Sequence, residues 1–218
     1  MRKRMMSLGL MVGALLLMFL SVIKGVDDWQ SQTLRNTLAD LNRATIQAGK
    51  HDIALDMTLT PASSGPFIDH QAFGLYYSWL GFQAVKPQSV EKFSLLSIDQ
   101  FEQQQKKRPL DSTVVVNKAN QMWRNGAPFD VVIKQFHLAH EMGLYESFTV
   151  KQSLIYYLAH WPELSLVDKK QSISYLLDHE RYKMKLWQYD SILKMPVIGE
   201  RACNILEFNN ISPYYCRH

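Results

Sequence analysis

Residues 112–179 read STVVVNKANQMWRNGAPFDVVIKQFHLAHEMGLYESFTVKQSLIYYLAHWPELSLVDKKQSISYLLDH, and the rhythm of this stretch decides the fold class. Apolar residues recur at three- and four-residue intervals, which places them on one side of a helix. The spacing predicts helices over about 112–125, 129–142, 147–160 and 165–179. Between them stand Gly126-Ala127-Pro128, Gly143 and Trp161-Pro162, residues that stop or redirect a helix. The chain is therefore expected to be all-α.

A period accompanies the rhythm. Pro128 and Pro162 are 34 residues apart, as are Trp123 and Tyr157 just before them. That is the period of tetratricopeptide-type repeats, in which a helix–turn–helix unit cannot bury its apolar face alone and so stacks on its neighbours. Gly126 and Ala139 are 13 residues apart, one more than in that repeat, and this reads as a degenerate unit with one insertion. A helical solenoid of such hairpins and a generic helical bundle both satisfy the pattern.

Upstream, Leu34, Leu38, Leu41, Thr45 and Ala48 form one stripe of a helix over 29–48, with Gly49 as its stop. Ile53, Leu55, Met57 and Leu59 alternate with polar residues as a strand would, until Pro-Ala-Ser-Ser-Gly-Pro at 61–66 interrupts them. Pro66 suits the first turn of a helix bearing Phe67, Phe73, Tyr77, Leu80 and Phe82, which should end before Pro87. Ser89 suits the cap of a further helix that carries Phe93, Leu96 and Phe101 and closes in the polar run 103–108.

The N-terminus is of another character. Arg2-Lys3-Arg4 precede MMSLGLMVGALLLMFLSVI at 5–23, an uncharged run of 19 residues. As a helix it would extend roughly 28 Å, close to the hydrocarbon thickness of a bilayer and longer than the apolar part of a signal peptide. Phe19 and Ile23 occupy positions where signal peptidase prefers small residues, so an uncleaved transmembrane anchor is expected, with a cleaved signal peptide as the alternative. The excess of basic residues before the run places residues 1–4 in the cytoplasm of a bacterium and the rest beyond its inner membrane. The reading is thus a cytoplasmic N-terminus (1–4), an anchor (5–23), a membrane-proximal helix and linker (24–66), and a repeat-like helical domain (67–218).

Charge and cysteine content agree with export. Of the 24 basic residues, Arg2, Lys3, Arg4 and Lys24 lie in or beside the anchor, so residues 25–218 carry 20 basic and 20 acidic side chains. A pI near 9.0 therefore reflects topology, and nothing points to a nucleic-acid partner. The two cysteines, Cys203 and Cys216, should pair in an oxidising compartment and staple the C-terminal end. Two separately buried thiols are the alternative, and the absence of Cys-x-x-Cys argues against redox catalysis.

Motifs that carry chemistry are missing or ill-spaced. His137 and His140 share a helix face with Glu141 beside them, but His-Leu-Ala-His-Glu is neither His-Glu-x-x-His nor His-x-x-Glu-His, so no metal site is expected. Neither G-x-G-x-x-G nor G-x-x-x-x-G-K-[ST] occurs, so no nucleotide or other cofactor is expected. Ser63-Ser64-Gly65-Pro66 is turn chemistry, not a nucleophile elbow. Glu91 with Asp99, and Glu163 with Asp168, read as solvated helix charges. Most aromatics should be core, although Tyr76, Trp79, Trp187 and Tyr189 exposed beside paired carboxylates would mark a glycan groove.

Four marks carry a resemblance over residues 65–165: Arg108-Pro109 before a helix, Trp123-x-x-Gly126, Ala139-x-x-x-Gly143-x-x-Glu146, and Leu158-x-x-Trp161-x-x-Leu164. In these the chain resembles the VpsP-type proteins of bacterial exopolysaccharide gene clusters. It departs from that pattern at Leu110-Asp111-Ser112 and at Leu144-Tyr145. The resemblance implies a non-enzymatic accessory role in polysaccharide synthesis or export, through contact with membrane-bound assembly proteins, and transfers no catalytic residue. A carbohydrate-binding or carbohydrate-active envelope protein, or an assembly factor for another envelope machine, is the competing expectation.

Overall fold

The computed structural model describes residues 2–48 and 67–216. Among these residues all regular structure is helical, as the sequence predicts: α1 (Arg2–Ala48), α2 (His70–Gln83), α3 (Pro87–Lys107), α4 (Ser112–Arg124), α5 (Phe129–Met142), α6 (Ser147–Ala159), α7 (Leu166–Leu177), α8 (Asp190–Leu193) and α9 (Ile198–Phe208), with 3-10 turns at Leu186–Tyr189 and Tyr214–Cys216. The chain forms two compact units, Met1–Lys106 and Lys107–His218, divided within the polar run 103–108 that closes α3. The strand-like alternation at 53–59 and the proline-bounded run at 61–66 lie outside the described residues.

In the first unit, the apolar run and the helix after it form one continuous helix of 47 residues. At the junction Gly25 costs about 1 kcal/mol relative to alanine, and no proline adds to it. In the stretch Gly9–Arg43 the apolar window has a mean hydropathy of 2.1 and is 0% buried. A core helix of this composition would be covered by protein. This one is long and apolar enough to cross a membrane, and its bare surface is consistent with single-pass anchoring.

Protein cover begins one turn later. Leu34, Leu38 and Leu41 of α1 pack on Ile68, Ala72, Phe73, Tyr76, Tyr77 and Leu80. The turn that leads into α2 is fastened to α1 by Asp27, Ser31 and Arg35, which stand four residues apart on one ridge. The Phe67 amide donates to Asp27 Oδ2 (3.1 Å), the Asp69 amide to Ser31 Oγ (3.2 Å), and Arg35 Nε to Asp69 Oδ2 (2.9 Å). The other oxygen of Asp69 accepts from the amides of Gln71 (3.0 Å) and Ala72 (3.2 Å), capping α2. Two helix starts thus differ from expectation. Asp69, not Pro66, opens α2 and leaves Phe67 outside it; Pro87, whose fixed φ suits a first helical position, opens α3 ahead of Ser89.

Contacts between α2 and α3 are close. A Cβ on Gly74 would lie 2.6 Å from the Phe101 ring, and the Gly74 carbonyl accepts from Ser97 Oγ at 2.7 Å. His70 Nδ1 and Gln100 Oε1 meet at 2.8 Å in the same buried seam.

The second unit opens with two helical hairpins, α4–α5 and α6–α7, and α6 packs against both α4 and α5. The first turn is a paired C-cap: Gly126 has φ +77°, its amide donates to the Trp123 carbonyl (3.0 Å), and the Ala127 amide donates to that of Met122 (3.0 Å). Only glycine adopts this conformation without strain. Gly143 serves space instead, because a Cβ there would fall 2.2 Å from Ser112 Oγ, which also accepts from Thr149 Oγ1 (3.0 Å). The ends of α4, α5 and α6 meet at this point.

Three of the four hairpin boundaries recur at 35 residues, Ser112 to Ser147, Arg124 to Ala159, and Met142 to Leu177, while the starts of α5 and α7, Phe129 and Leu166, are 37 apart. Asp111 and Glu146, also 35 apart, both cap the following helix, accepting from the amides of Val114 (3.3 Å) and Thr149 (2.7 Å). The 34-residue pairs are consequently not equivalent. Trp123 is partly exposed and Tyr157 fully buried, because a one-residue offset turns a side chain about 100° around the helix. Pro128 directly precedes α5, whereas Pro162 stands four residues before α7.

α8, α9 and the tail complete the core. Arg201 of α9 donates to the carbonyls of Leu158 and Ala159 (2.5 and 3.1 Å), satisfying the end of α6. The Sγ atoms of Cys203 and Cys216 lie at disulfide distance, 2.06 Å, and join α9 to the last turn. Lys194 Nζ sits 4.1 Å over the Tyr215 ring on the same tail.

Candidate functional site

The sequence singles out His137 and His140, and the structure gives each its own partner across the α5–α7 seam. His137 Nε2 meets Asp168 Oδ1 at 2.6 Å, while His140 Nδ1 meets Tyr175 Oη at 2.7 Å. Burial raises the Tyr175 phenol above its ordinary range, so its hydroxyl stays protonated beside the His140 ring.

Asp168 has a second neighbour, Ser165 Oγ, at 2.6 Å. Serine, aspartate and histidine thus line up, but in an order that does not activate the serine. In a catalytic triad the imidazole stands between nucleophile and carboxylate and takes the hydroxyl proton. Here the carboxylate stands between them, and Ser165 caps α7 by accepting from the Asp168 amide (3.2 Å). The pair His137–Asp168 escapes sequence reasoning because its members are 31 residues apart on different helices, with no local signal joining them.

One pH effect follows from this seam. Burial first, then the neighbouring charges of His137 and Arg181, hold the His140 imidazole below its ordinary 6.5, with Glu141 opposing. The unfolded chain therefore takes this proton at higher pH than the folded one. Stability present above about pH 6.5 is lost as pH falls through the folded value. His140→Gln, which can still accept from Tyr175, should melt with a smaller drop between pH 7.5 and 5.5 than the parent chain. Equal slopes in calorimetry would remove His140 from the account.

The acidic pairs also separate. Glu163 binds His160 Nδ1 (2.9 Å), and Asp168 is held as described. Glu91 and Asp99 line an open depression on α3 with Gln88, Lys92, Leu95 and Leu96. Eight residues apart on one helix, they are about 12 Å apart along its axis, wider than the roughly 5–9.5 Å used across a glycosidic bond.

Of the aromatics that would mark a glycan groove, Tyr76 and Tyr189 are buried, Trp79 is half-buried, and only Trp187 is freely exposed, at 65%. The tyrosines form the core instead: Tyr156 stacks on Phe136 (4.5 Å between centroids), and Tyr157 stacks on Tyr175 (6.3 Å). Tyr189 Oη donates to the Tyr175 carbonyl at 2.6 Å. Histidines, acids and tyrosines in this seam act as fasteners between helices. The uncovered apolar features are the bare length of α1 and separate surface side chains such as Trp187, Phe208 and Tyr214.

No protein-family model, curated protein or solved structure matches this chain.

Proposed function

We propose that the protein is a non-enzymatic interaction module, tethered to the bacterial inner membrane by α1 with its helical domain in the periplasm, that serves the synthesis or export of an exopolysaccharide. The observation that carries this reading is the pairing of a bare apolar helix with hairpins whose polar residues are engaged between helices. Such a chain offers location and surface in place of a reaction centre. Tethering confines the surface near the membrane plane, raising its effective concentration for partners there, so modest contacts suffice.

The 35-residue recurrence of α4–α5 in α6–α7, with a carboxylate cap at each start, supports tetratricopeptide-like hairpins one residue longer than the usual unit. Contact of α6 with both helices of the preceding hairpin is the stacking such repeats use. The polysaccharide setting rests on the resemblance of the joint residues Trp123-x-x-Gly126 and Ala139-x-x-x-Gly143-x-x-Glu146.

Deletion of the gene should lower secreted polysaccharide, and the full chain should restore it while a chain lacking residues 5–23 should not. In-membrane crosslinking should capture a polysaccharide assembly or export protein. Unchanged polysaccharide together with no crosslinked partner would overturn the proposal.

A further inference from the structure

We propose that the first unit stands directly on the bilayer, with Trp29 and the turn at Phe67 forming a foot immersed in the headgroup layer of the leaflet on the C-terminal side of the span. This rests on the reading of α1 as a membrane anchor and adds where the folded unit begins relative to the lipid.

The argument is one of height along a continuous helix. A hydrocarbon core of about 30 Å takes roughly 20 helical residues, so a span that starts at Met5 reaches its far boundary near Lys24. The headgroup layer beyond is about 5–7 Å deep on each side. Asp27 lies about 4.5 Å above Lys24, inside that layer, and the Trp29 backbone about 7.5 Å above it, at the layer's outer edge, with its side chain inclined back toward the helix N-terminus and so into the layer. Because the Phe67 amide is bonded to the Asp27 carboxylate at 3.1 Å, the Phe67 turn is fixed at the level of Asp27. The polar clamp that holds the folded unit on α1 therefore starts inside the headgroup layer, not beyond it.

The side chains at that level suit it. Trp29 is 70% exposed and Phe67 41% exposed, so each large ring presents an open face. Trp29 is turned about 200° around the helix from Asp27, so the two rings flank α1 on opposite sides. Indole, with an apolar body and one N–H donor, favours the membrane–water boundary. The Asp27 carboxylate, buried beneath the Phe67 turn and bonded to its amide, does not need bulk water there. Lys24, Asp27 and Asp28 leave no net positive charge near the foot, so the contact is with the acyl–headgroup boundary and needs no anionic lipid.

The test uses the full chain in vesicles of phosphatidylcholine alone, with spin labels on single cysteines introduced as Leu16→Cys, Trp29→Cys, Phe67→Cys and Arg43→Cys. Accessibility to oxygen and to a water-soluble nickel complex gives the depth of each. Position 43, about 28 Å above Lys24, should be aqueous and position 16 deep in hydrocarbon, while 29 and 67 should collide with nickel several-fold less often than 43. If 16 is aqueous, the anchor reading itself falls and the foot with it. If 16 is deep while either 29 or 67 matches 43, the foot alone is overturned. The native ring is tested by fluorescence quenching with dibrominated phosphatidylcholine. Trp29→Phe should remove a quenched component, and an unchanged quenching curve would overturn the foot without reference to the labels.

Discussion

Replacing Leu16 and Leu17 by arginine is expected to release the chain from the membrane. Both side chains are exposed in the bare part of α1, so neither change disturbs a protein core. Each arginine near the middle of a span costs about 2.5–3.5 kcal/mol of insertion free energy, so the pair costs roughly 5–7 kcal/mol, most of what a span this short can supply. Fractionation with alkaline carbonate should move the variant from the pellet to the supernatant or to degradation, and leave the parent chain in the pellet. The mass of the pelleted parent decides the accompanying question. A full-length chain of 25.3 kDa fits an anchor, and a mature chain beginning beyond Ile23 would show a cleaved signal instead.

Loss of the Cys203–Cys216 bridge is expected to destabilise the second unit by about 3 kcal/mol. The bridge closes a loop with a sequence separation of 13, and limiting a loop of that size in the unfolded chain is worth about that much in the chain-entropy account. Both cysteines are buried, so the paired change to alanine is preferred to serine, which would add buried hydroxyls without partners. The melting temperature of this unit should fall by roughly 10 °C, and the turn that carries Tyr214 and Tyr215 should lose its place on α9. Reductant should bring the parent chain down to the level of the Cys203→Ala/Cys216→Ala variant and leave that variant unmoved. A parent whose melting ignores reductant would contradict the bridge.

How far the sequence could be read depends on how local each signal is. α4, α5 and α6 were legible to within a residue at both ends, because their breakers lie in the sequence beside them: Gly126 with its positive φ, Pro128 before α5, and Gly143 against Ser112. α2 was legible in its apolar face but not in its start. The Asp69 cap is specified jointly with Arg35, 34 residues away on α1. The 34-residue match of Trp123 with Tyr157 illustrates the hazard of counting residue types alone. The caps Asp111 and Glu146, chemically alike and 35 apart, were the better signal, yet aspartate and glutamate are too common for the pair to stand out before the hairpins are seen.

The candidate site was less legible still. His137 and His140 look like a pair from their spacing, but packing against α7 gives one to Asp168 and the other to Tyr175. Likewise Tyr76 and Tyr189 are as aromatic as Trp187, and only burial distinguishes the core rings from the exposed one.

By itself, then, the amino-acid sequence determined the all-helical class and the long apolar N-terminal helix. Each of these follows from composition or from periodicity within a few turns of one helix. The cysteine pairing was an expectation drawn from the compartment, and the approach of α9 to the last turn brings the two sulfurs to disulfide distance. Tertiary structure alone decided that α1 runs unbroken from its bare apolar length into the folded unit, that Asp27, Ser31 and Arg35 fasten that unit one turn past Lys24, and that the α5–α7 histidines are fasteners. Those outcomes depend on which helix faces are brought together, a choice made by burial across many residues and carried by no short stretch of sequence.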